Sequence, residues 1–515
     1  MKRTDWILCA AIVGIALLVR LPGLDAIYDW DEVDYVRAAD LGLGANYLGT
    51  GVLDFRSFAE KGAIKALHLG DDLISVPPGY RADRDPLVLA HWHPPLLVYA
   101  TAAARFMGGN PEWVARLPSL LFGLATVALL YVAAVMLLPH LGRSAGAAAA
   151  LLLALMPVHV QASRVLSTHT MSSFWALAGV FFILWFRKDR NYAWLYAAAV
   201  TGGLTLLTTE FFPSLLGIAA VMIIVAPLVS PERASVRVSW HVLGLLATFA
   251  LTVVIGWPGG LLKLAWLQTL LMRAYNLRVM LPEEQGWAME FLRDRPGWSA
   301  IFVAALAWAA VRLRRHEARA FLYPVLIFSF LVFLGVLSIP FVNLVRAIPL
   351  IVPLCVIAGT AGAALWHESR PGRIVAGMVL AAVAIAAGQR ALQAPAAGND
   401  KRLLQYLQDT GPQASVLADG GHVYRYYLPS HAIVEFPLFE GPDALAHPED
   451  FSPERSEPLR HYLAQRDQLA NGEFDFLVLQ RGRRLWDPEL RAAIDARYQA
   501  MPAVSDAATL YRRVR

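Results

Sequence analysis

The chain has 515 residues, of which 57% are hydrophobic and only 17% are charged. Soluble globular proteins carry about 25% charged residues, so this composition excludes an ordinary soluble enzyme, a collagen and a disordered chain, and it predicts a polytopic membrane protein. The formal net charge of +5 follows from the excess of Lys and Arg in the cytoplasmic loops of membrane proteins, so it does not indicate a nucleic-acid partner.

The first apolar segment covers residues 6–24 and follows a short basic N-terminus. It has the length of a membrane span, and it lacks the small-residue cleavage site that a secretory signal peptide carries. We therefore expect an uncleaved anchor that forms the first span. Cys9 and Cys355 both lie in apolar runs, and we predict neither a disulfide nor a metal cluster from them.

A helix needs about 20 apolar residues to cross a bilayer, and further segments approach or exceed that length. The predicted spans are residues 6–24, 113–138, 145–162, 170–186, 192–210, 212–229, 240–257, 298–311, 320–340, 347–366 and 374–391. Basic clusters lie at alternate ends of successive spans, at Lys2/Arg3, Arg143, Arg187/Lys188/Arg190, Arg233/Arg237, Arg312/Arg314/Arg315/Arg319 and Arg370/Arg373. The positive-inside rule then places the N-terminus in the cytoplasm and the residues after the last span outside.

Two long external loops result, at residues 25–112 and 258–297. Residues 93–107 are apolar but short and begin with two prolines, so we predict a helix that lies in the membrane interface and does not cross it. A crossing there would also move every later basic cluster outside. We predict a second surface helix at residues 261–280.

The membrane domain is predicted to end at residue 394, because residues 395–515 have the composition of a soluble domain. Helix signals at Lys401–Asp409 and Pro488–Tyr498 alternate with strand signals at Ala414–Ala418 and Phe474–Gln480. We therefore predict a small α/β domain outside the membrane. It contains no phosphate-binding loop or nucleophile motif, so we expect a structural lid or an acceptor-docking domain.

A cluster of acids opens the first external loop. Asp31 and Glu32 are adjacent, and on a helix Asp31, Asp34 and Tyr35 would share one face. Acids also favour helix N-termini, through the helix dipole and through capping. Two interpretations follow: a solvated start of a helix, or a base or cation site where water meets lipid.

His91 and His93 lie further along the same loop. Two histidines at this spacing, together with nearby acids, could hold a metal ion. An interfacial turn with histidine and Trp92 at the level of the lipid headgroups explains the same pattern.

Three other external turns carry charged or polar groups. Arg164 follows the third span, where a guanidinium suits a phosphate or extends toward the headgroups. His169 follows it closely, and Glu210 occupies a tight apolar turn in which an acid is costly. Arg346 precedes the tenth span. The convergence of separate turns on one face of the membrane predicts a site there.

Short motifs in this chain resemble those of the GT-C glycosyltransferases. The resemblance is closest to the bacterial protein O-mannosyltransferase and aminoarabinose transferase group, which is similar to glycosyltransferase family 39. It covers most of residues 5–390. The motifs that carry it are Arg20-Leu21-Pro22-Gly23-Leu24, Asp31-Glu32, His93-Pro94-Pro95-Leu96, Arg116-Leu117-Pro118-Ser119, and Arg346 with Pro349 and Pro353.

The resemblance implies an all-α polytopic fold of about eleven transmembrane helices with an extracytoplasmic C-terminal domain, in a bacterial inner membrane. It implies transfer of a sugar from a polyprenyl-phosphate donor to a protein, lipid or glycan acceptor on the outer face, with inversion at the anomeric carbon. The motifs identify neither the sugar nor the acceptor. No cofactor is expected, and a divalent cation is the one alternative left open.

The resemblance also implies roles for single residues. Asp31 matches the catalytic base of the family, and Glu32 matches the residue that orients it. The donor phosphate is expected to bind Arg164 and Arg346. The residues expected to line the cavity are Asp34, Tyr35, His91, His93, His169 and Glu210.

The chain departs from the family at two positions. Members often carry an aspartate where His169 stands and a lysine where Glu210 stands. A compensating exchange of charge, a different donor, and a capping role for Glu210 each explain the departure. Two other classes of protein stay open: a lipid or sugar transporter or flippase, and a non-catalytic scaffold of envelope assembly. Transporters place charges near the bilayer midplane, whereas here the charges lie at the outer ends, which favours a glycosyltransferase.

Overall fold

The computed structural model describes residues 1–28, 30–48, 94–138, 140–209, 212–225, 235–262, 295–316, 318–337, 348–393, 401–435, 463–480, 488–501, 504 and 508–514. Within these ranges a bundle of apolar helices is followed by a small domain with a mixed β-sheet. Most of the surface helix predicted at residues 261–280 lies outside the described residues.

The helices before residue 394 follow the predicted apolar segments closely. In chain order they are α1 (Arg3–Leu18), α2 (Trp30–Asp40), α3 (Leu43–Leu48), α4 (Leu96–Gly108), α5 (Glu112–Leu137), α6 (Gly142–Leu155), α7 (Pro157–Arg164), α8 (Thr168–Asp189), α9 (Ala193–Thr208), α10 (Phe212–Val225), α11 (Ser235–Gly256), α12 (Pro258–Leu262), α13 (Pro296–Arg312), α14 (Arg319–Leu337), α15 (Ile348–Glu368) and α16 (Arg370–Gln393). A short 3-10 turn, Leu313–Arg315, follows α13. Each predicted span therefore contains a helix, and the predicted interfacial segment forms α4.

Three of the described helices, α5, α8 and α15, are each long and apolar enough to cross a membrane alone. Helices α6 and α7 meet the same criteria only as a pair. Helices α4, α9 and α13 are apolar but shorter, as are the described parts of α11 and α14. The chain is thus a membrane protein by its helices, and the count of eleven spans stays a prediction.

The third predicted span, residues 145–162, is not one continuous helix, so that prediction was wrong in its geometry. Helices α6 and α7 are bent by 61° at their junction. Met156 has extended backbone angles and Pro157 begins α7, because proline disfavours helical angles at the residue before it. Hydropathy alone does not report such a break.

The first predicted span, residues 6–24, is too long at its C-terminal end. Helix α1 ends at Leu18, and the chain then turns, with Gly23 at a φ of +82°. Arg20 is fully buried in this turn and donates to the carbonyls of Ala16 at 2.8 Å and Ala154 at 2.9 Å. The apolar residues after Leu18 therefore pack the turn against the bundle and do not extend the helix.

Close packing through small residues holds the bundle together. A Cβ added at Gly359 of α15 would lie 2.6 Å from Cα of Ala149 in α6, and one at Gly146 would lie 2.9 Å from the carbonyl oxygen of Tyr131 in α5. Helix α6 is thus held between α5 and α15 at backbone contact. Small residues at helix interfaces are typical of membrane proteins, where close approach of backbones replaces the hydrophobic effect as the source of association.

The C-terminal domain is a small α/β domain, as predicted. Its elements are α17 (Lys401–Thr410), β1 (Ser415–Ala418), α18 (Gly421–Tyr427), β2 (Ala432–Glu435), β3 (Phe476–Gln480), α19 (Pro488–Arg497), β4 (Tyr498–Ala500) and β5 (Ala508–Arg513), with a further helix at residues 463–470. The strand order is β2-β1-β3-β5-β4, with β1 parallel to β2 and β3, and with β5 antiparallel to β3 and β4. Strands β2, β4 and β5 and helix α18 were not predicted.

The C-terminal domain shares a hydrophobic core with the start of the chain. Ile27 and Val36, on either side of the first turn of α2, belong to the same buried cluster as Val423 and Leu428 of the C-terminal domain. Helix α2 therefore lies between α4 and the C-terminal domain, and its position depends on both.

Candidate active site

The acids of the first loop form the start of helix α2, as predicted. Asp31 and Glu32 lie in its first turn, where the positive end of the helix dipole favours negative charge. Successive residues of a helix are about 100° apart, since there are 3.6 residues per turn, so the two carboxylates point to different sides. Glu32 is 2% exposed, whereas Asp31 is exposed to solvent.

The other two residues predicted on this face differ in burial. Asp34 is partly exposed and Tyr35 is 9% exposed. Burial on this face of the helix therefore increases from Asp31, which is exposed, to Tyr35, which lies in the core. Among the described acids of this part of the helix, Asp31 is the one that is exposed to solvent.

Glu32 forms a buried two-point ion pair with Arg116 of α5. Nε of Arg116 donates to Oε1 of Glu32 at 2.8 Å, and Nη2 donates to Oε2 at 2.6 Å. Both side chains are almost fully buried. This parallel geometry is the strongest that a guanidinium and a carboxylate adopt, so Glu32 serves as a structural anchor.

The remaining donors of Arg116 hold the turn that precedes α2. Nη1 donates to the carbonyls of Leu24 at 2.8 Å and Ala26 at 2.7 Å, and Nη2 donates to that of Ile27 at 3.0 Å. All five N–H groups of the guanidinium are therefore satisfied. Its Cζ also lies 5.4 Å from the centre of the Tyr28 ring, within the range of a cation–π contact.

Glu32 also fixes the loop between α7 and α8. The backbone N–H of Leu166 donates to its Oε1 at 2.7 Å, and the N–H of Ser167 donates to Oγ of Ser119 at 2.9 Å. One buried carboxylate therefore connects α2, α5 and the residues that follow Arg164. The consequence is that Asp31 and Arg164 are held on one rigid framework.

Arg164 lies at the end of α7 and is partly buried. Its Nη2 donates to the carbonyl oxygen of Val19, and its Nε has no hydrogen-bond partner among the described residues. The predicted phosphate ligand is thus held against the end of α1 by one of its donors and keeps further donor capacity. Its role in binding phosphate stays a prediction.

A second buried arginine lies next to Arg164. Nη2 of Arg20 is 2.9 Å from Nδ1 of His159, and Nη1 donates to carbonyls at the ends of α1 and α6. The contacts described for Arg20 include no carboxylate. Cations are favoured at helix C-termini by the helix dipole, and that field stabilises this one. Two arginines, Arg20 and Arg164, therefore lie at the C-terminal end of α1.

The remaining predicted residues are placed only in part. His169 lies in the first turn of α8, and its carbonyl accepts a hydrogen bond from Oγ of Ser173 at 2.6 Å. Helices α8 and α9 form an antiparallel pair, so the start of α8 and the end of α9 at Thr208 lie at the same end of the bundle. His91, His93, Glu210 and Arg346 lie outside the described residues, and their roles stay predictions.

A groove of about 570 Å³ lies beside the site, between α3, α4, α9 and α11. Its lining is almost entirely apolar and includes Tyr47, Leu96, Tyr99, Leu207 and Ile255. Helix α4 lines this groove and also packs against α2. The lining of the groove suits an apolar chain. Among the described residues no three metal-ligating side chains meet.

Sequence reasoning assigned no role to Arg116 or Arg20, although both stand in the motifs that carried the resemblance. A signal was available in each case. An arginine inside or next to an apolar membrane segment is costly unless it has a partner, so each residue required one. The identity of the partner, a carboxylate for Arg116 and backbone carbonyls with His159 for Arg20, was not predictable from spacing.

Comparisons with known proteins agree with this architecture. Residues 92–257 match the family model described as dolichyl-phosphate-mannose-protein mannosyltransferase. No curated protein matches the chain in sequence.

Several solved structures share the fold. ArnT from Cupriavidus metallidurans in the apo state is 17% identical, with a TM-score of 0.52 over 99% of this chain and 98% of that one. The same enzyme bound to undecaprenyl phosphate is 15% identical, with a TM-score of 0.53 over 100% and 99% of the two chains.

Two longer enzymes are also similar. The Archaeoglobus fulgidus oligosaccharyltransferase tethered with an acceptor peptide is 12% identical, with a TM-score of 0.51 over 100% of this chain and 74% of that one. The mycobacterial arabinofuranosyltransferase AftD is 14% identical, with a TM-score of 0.51 over 99% and 41%. The resemblance to the GT-C superfamily of membrane glycosyltransferases is therefore confirmed.

Proposed function

We propose that this protein transfers a sugar from a polyprenyl-phosphate donor to a hydroxyl acceptor on the outer face of the membrane, with Asp31 as general base. The observation that carries the proposal is the buried Glu32–Arg116 ion pair. It holds α2 so that the neighbouring Asp31 is the exposed carboxylate of that turn.

In the proposed reaction the acceptor hydroxyl donates a hydrogen bond to the carboxylate of Asp31. Asp31 takes the proton while the oxygen forms a bond to the anomeric carbon, and the bond from that carbon to the phosphate oxygen breaks. The bonding pair leaves with the polyprenyl phosphate, and attack from the opposite side inverts the configuration. General-base assistance of this kind contributes about 10²–10⁴-fold.

The leaving phosphate gains negative charge, which a fixed cation stabilises. Arg164 is suited to this role because its guanidinium is partly accessible and lies near a second cation, the buried Arg20. Arg346 is proposed as a second phosphate ligand on the basis of the sequence motif alone. The apolar groove beside α4 has the chemistry to hold the first isoprene units of the donor.

The proposal includes an orientation of the chain. Eleven helices cross the membrane, α4 lies in the outer interface, and the C-terminal domain is extracytoplasmic, because the basic clusters alternate between successive helices. A reporter fused after the last residue and active only outside the cytoplasm should be active. Activity of a cytoplasm-specific reporter at the same position would place the C-terminal domain in the cytoplasm and contradict the proposed orientation of the site.

The test begins with mass analysis of envelope lipids and glycans from cells with and without the protein, which identifies donor and acceptor. Purified protein in lipid nanodiscs is then given that donor, and release of polyprenyl phosphate is measured. Asp31→Asn should lower the rate at least a hundredfold, roughly the effect of a general base, while donor binding persists. Asp25→Asn removes another exposed carboxylate nearby and should leave the rate unchanged.

Three outcomes would contradict the proposal. A normal rate for Asp31→Asn with a large loss for Asp34→Asn would show that Asp34, and not Asp31, is the base. Movement of intact donor between leaflets without release of polyprenyl phosphate would indicate a flippase. Cells without the protein could lack an envelope component although the purified wild-type protein releases no polyprenyl phosphate from any donor. That result would favour a scaffold.

A further inference from the structure

The C-terminal domain covers the start of helix α2 through two tyrosines of α18. The backbone N–H of Tyr28 donates to the hydroxyl oxygen of Tyr427 at 2.9 Å. The Tyr28 ring stacks on that of Tyr427 with centroids 6.0 Å apart and meets Tyr426 edge-on at 5.7 Å. Tyr28 is 1% exposed, because its side chain is buried between the C-terminal domain and Arg105 and Arg116 of the bundle.

The hydroxyl of Tyr427 also connects this turn to helix α5. It donates to Oε1 of Glu112 at 3.4 Å, and Oε2 of Glu112 pairs with Nζ of Lys401 at 3.3 Å. One hydroxyl thus accepts from the chain before α2 and donates to the first turn of α5. Burial raises the pKa of the Tyr427 hydroxyl above its ordinary value, so the group keeps its proton and both hydrogen bonds.

Arg105 of α4 holds the two ends of α2 at the same time. Its Nη1 donates to the Tyr28 hydroxyl at 3.2 Å, and its Nη2 lies 2.9 Å from Oδ1 of Asp40, the last residue of α2. Together with Arg116 at the first turn, the bundle grips α2 from one side. The C-terminal domain adds its own contacts, from Tyr427 to the backbone of Tyr28 and from the carbonyl of His422 to Arg37 of α2.

We propose that Tyr427 is a positioning residue, through which the C-terminal domain holds α2 and therefore Asp31 in the orientation that the transfer reaction needs. This inference rests on the proposed function. It assigns the C-terminal domain a part in catalysis that does not require contact with the donor. A displacement of about 1 Å in a catalytic group can lower a rate about a hundredfold, so a small rotation of α2 has a large effect.

The experiment compares Tyr427→Phe with Tyr498→Phe in the full-length protein. Phenylalanine keeps the ring contacts of Tyr427 and removes only the hydroxyl. Tyr498 is the matched control, because its hydroxyl is also buried and donates to a backbone carbonyl, that of Phe474 at 3.1 Å. We expect kcat of Tyr427→Phe to fall between about tenfold and a hundredfold, with KM for the donor within about twofold of wild type.

Amide hydrogen exchange gives a second readout that needs no substrate. Loss of the acceptor for the Tyr28 N–H should increase exchange in the peptide over residues 24–36 by about tenfold in Tyr427→Phe. The same peptide should be unchanged in Tyr498→Phe. Glu112→Gln keeps an acceptor oxygen for Tyr427 and should give a smaller loss of kcat in the same direction.

Failure of this inference and failure of the proposed function are distinguishable. Equal kcat in Tyr427→Phe and wild type, with faster exchange at residues 24–36, would show that α2 moves without consequence and would overturn the positioning role. Unchanged exchange would overturn the contact itself. A fall in kcat that Tyr498→Phe matches would indicate general loss of stability and also contradict the inference. Absence of transfer in the wild-type protein would contradict the proposed function.

Discussion

Two ends of the helix bundle use the same ion-pair chemistry in different surroundings. At the α2 end, Glu32 and Arg116 pair at 2.6 Å with side chains only 3% and 2% exposed. At the opposite end, Arg312 and Glu368 pair at 2.8 Å with side chains 58% and 34% exposed. The Ser144–His367 hydrogen bond, 3.1 Å long, joins the start of α6 to the end of α15 and identifies this opposite end.

The two ion pairs differ in their exposure to solvent. An exposed pair gains little, because solvent screens it and both side chains lose freedom. A buried pair leaves an uncompensated charge in an apolar environment when one partner is removed. The buried pair at the α2 end therefore determines geometry, whereas the exposed pair joins two helix ends at low energetic gain.

The largest expected loss of stability comes from removing one partner of the buried ion pair. Arg116→Met removes the two hydrogen bonds to Glu32 and those to the carbonyls of Leu24, Ala26 and Ile27 in the turn before α2. We expect a loss of about 3–5 kcal/mol in the free energy of unfolding, measured by denaturant titration in detergent. A stable Arg116→Met protein with normal transfer would show that the ion pair does not position α2.

Asp31→Asn should separate activity from stability. Asp31 is exposed, and no described residue pairs with it, so the midpoint of unfolding should match that of wild type while transfer falls at least a hundredfold. Glu32→Gln should lose both properties, since it weakens a charged pair and the bond from Leu166. Equal loss of stability in the two variants would contradict the division of roles between the adjacent acids.

Arg20→Met tests the buried arginine whose described contacts include no carboxylate. The substitution removes a donor from the carbonyls of Ala16 and Ala154, and breaking a buried hydrogen bond on one side costs about 1–3 kcal/mol. We expect a destabilisation in that range and a smaller loss of transfer than in Arg116→Met. Unfolding followed by intrinsic fluorescence measures it, and a neutral result would mean that the ends of α1 and α6 find other donors.

The smallest effect is expected at the exposed pair. Arg312→Gln should change the free energy of unfolding by no more than about 1 kcal/mol and leave transfer unchanged. The same denaturant titration measures it. A loss as large as that of Arg116→Met would remove the contrast between the two ends of the bundle.

Much of the fold could be predicted from the sequence, because its signals are local. Apolar runs of bilayer length predicted the positions of the bundle helices. In the C-terminal domain, helix-like patterns predicted α17 and α19, and strand-like patterns predicted β1 and β3. The break at Pro157 and the early end of α1 were missed, since hydropathy averages over a window and does not register backbone angles. Strand β5 was missed because its pairing with β3 is a long-range contact.

The candidate site was predictable only in part. The motif Asp31-Glu32 located the helix that carries the carboxylates, but both residues are acids in the same turn, and nothing in their spacing distinguishes a base from an anchor. The structure shows that Glu32 is the acid that pairs with Arg116, which lies 84 residues away along the chain. Tyr427, which lies 399 residues from its partner Tyr28, carried no local signal at all.

The sequence by itself determined that this protein is a helical membrane protein with a small α/β domain, and that acids and arginines lie at turns between its apolar segments. These properties depend on composition and on periodicity over single elements, which each segment carries alone. Only the tertiary structure decided which acid is buried, which arginine holds it, and that the C-terminal domain encloses the start of α2. The physical reason is that burial and pairing belong to contacts between distant segments, and a carboxylate becomes an anchor or a base according to the groups that surround it.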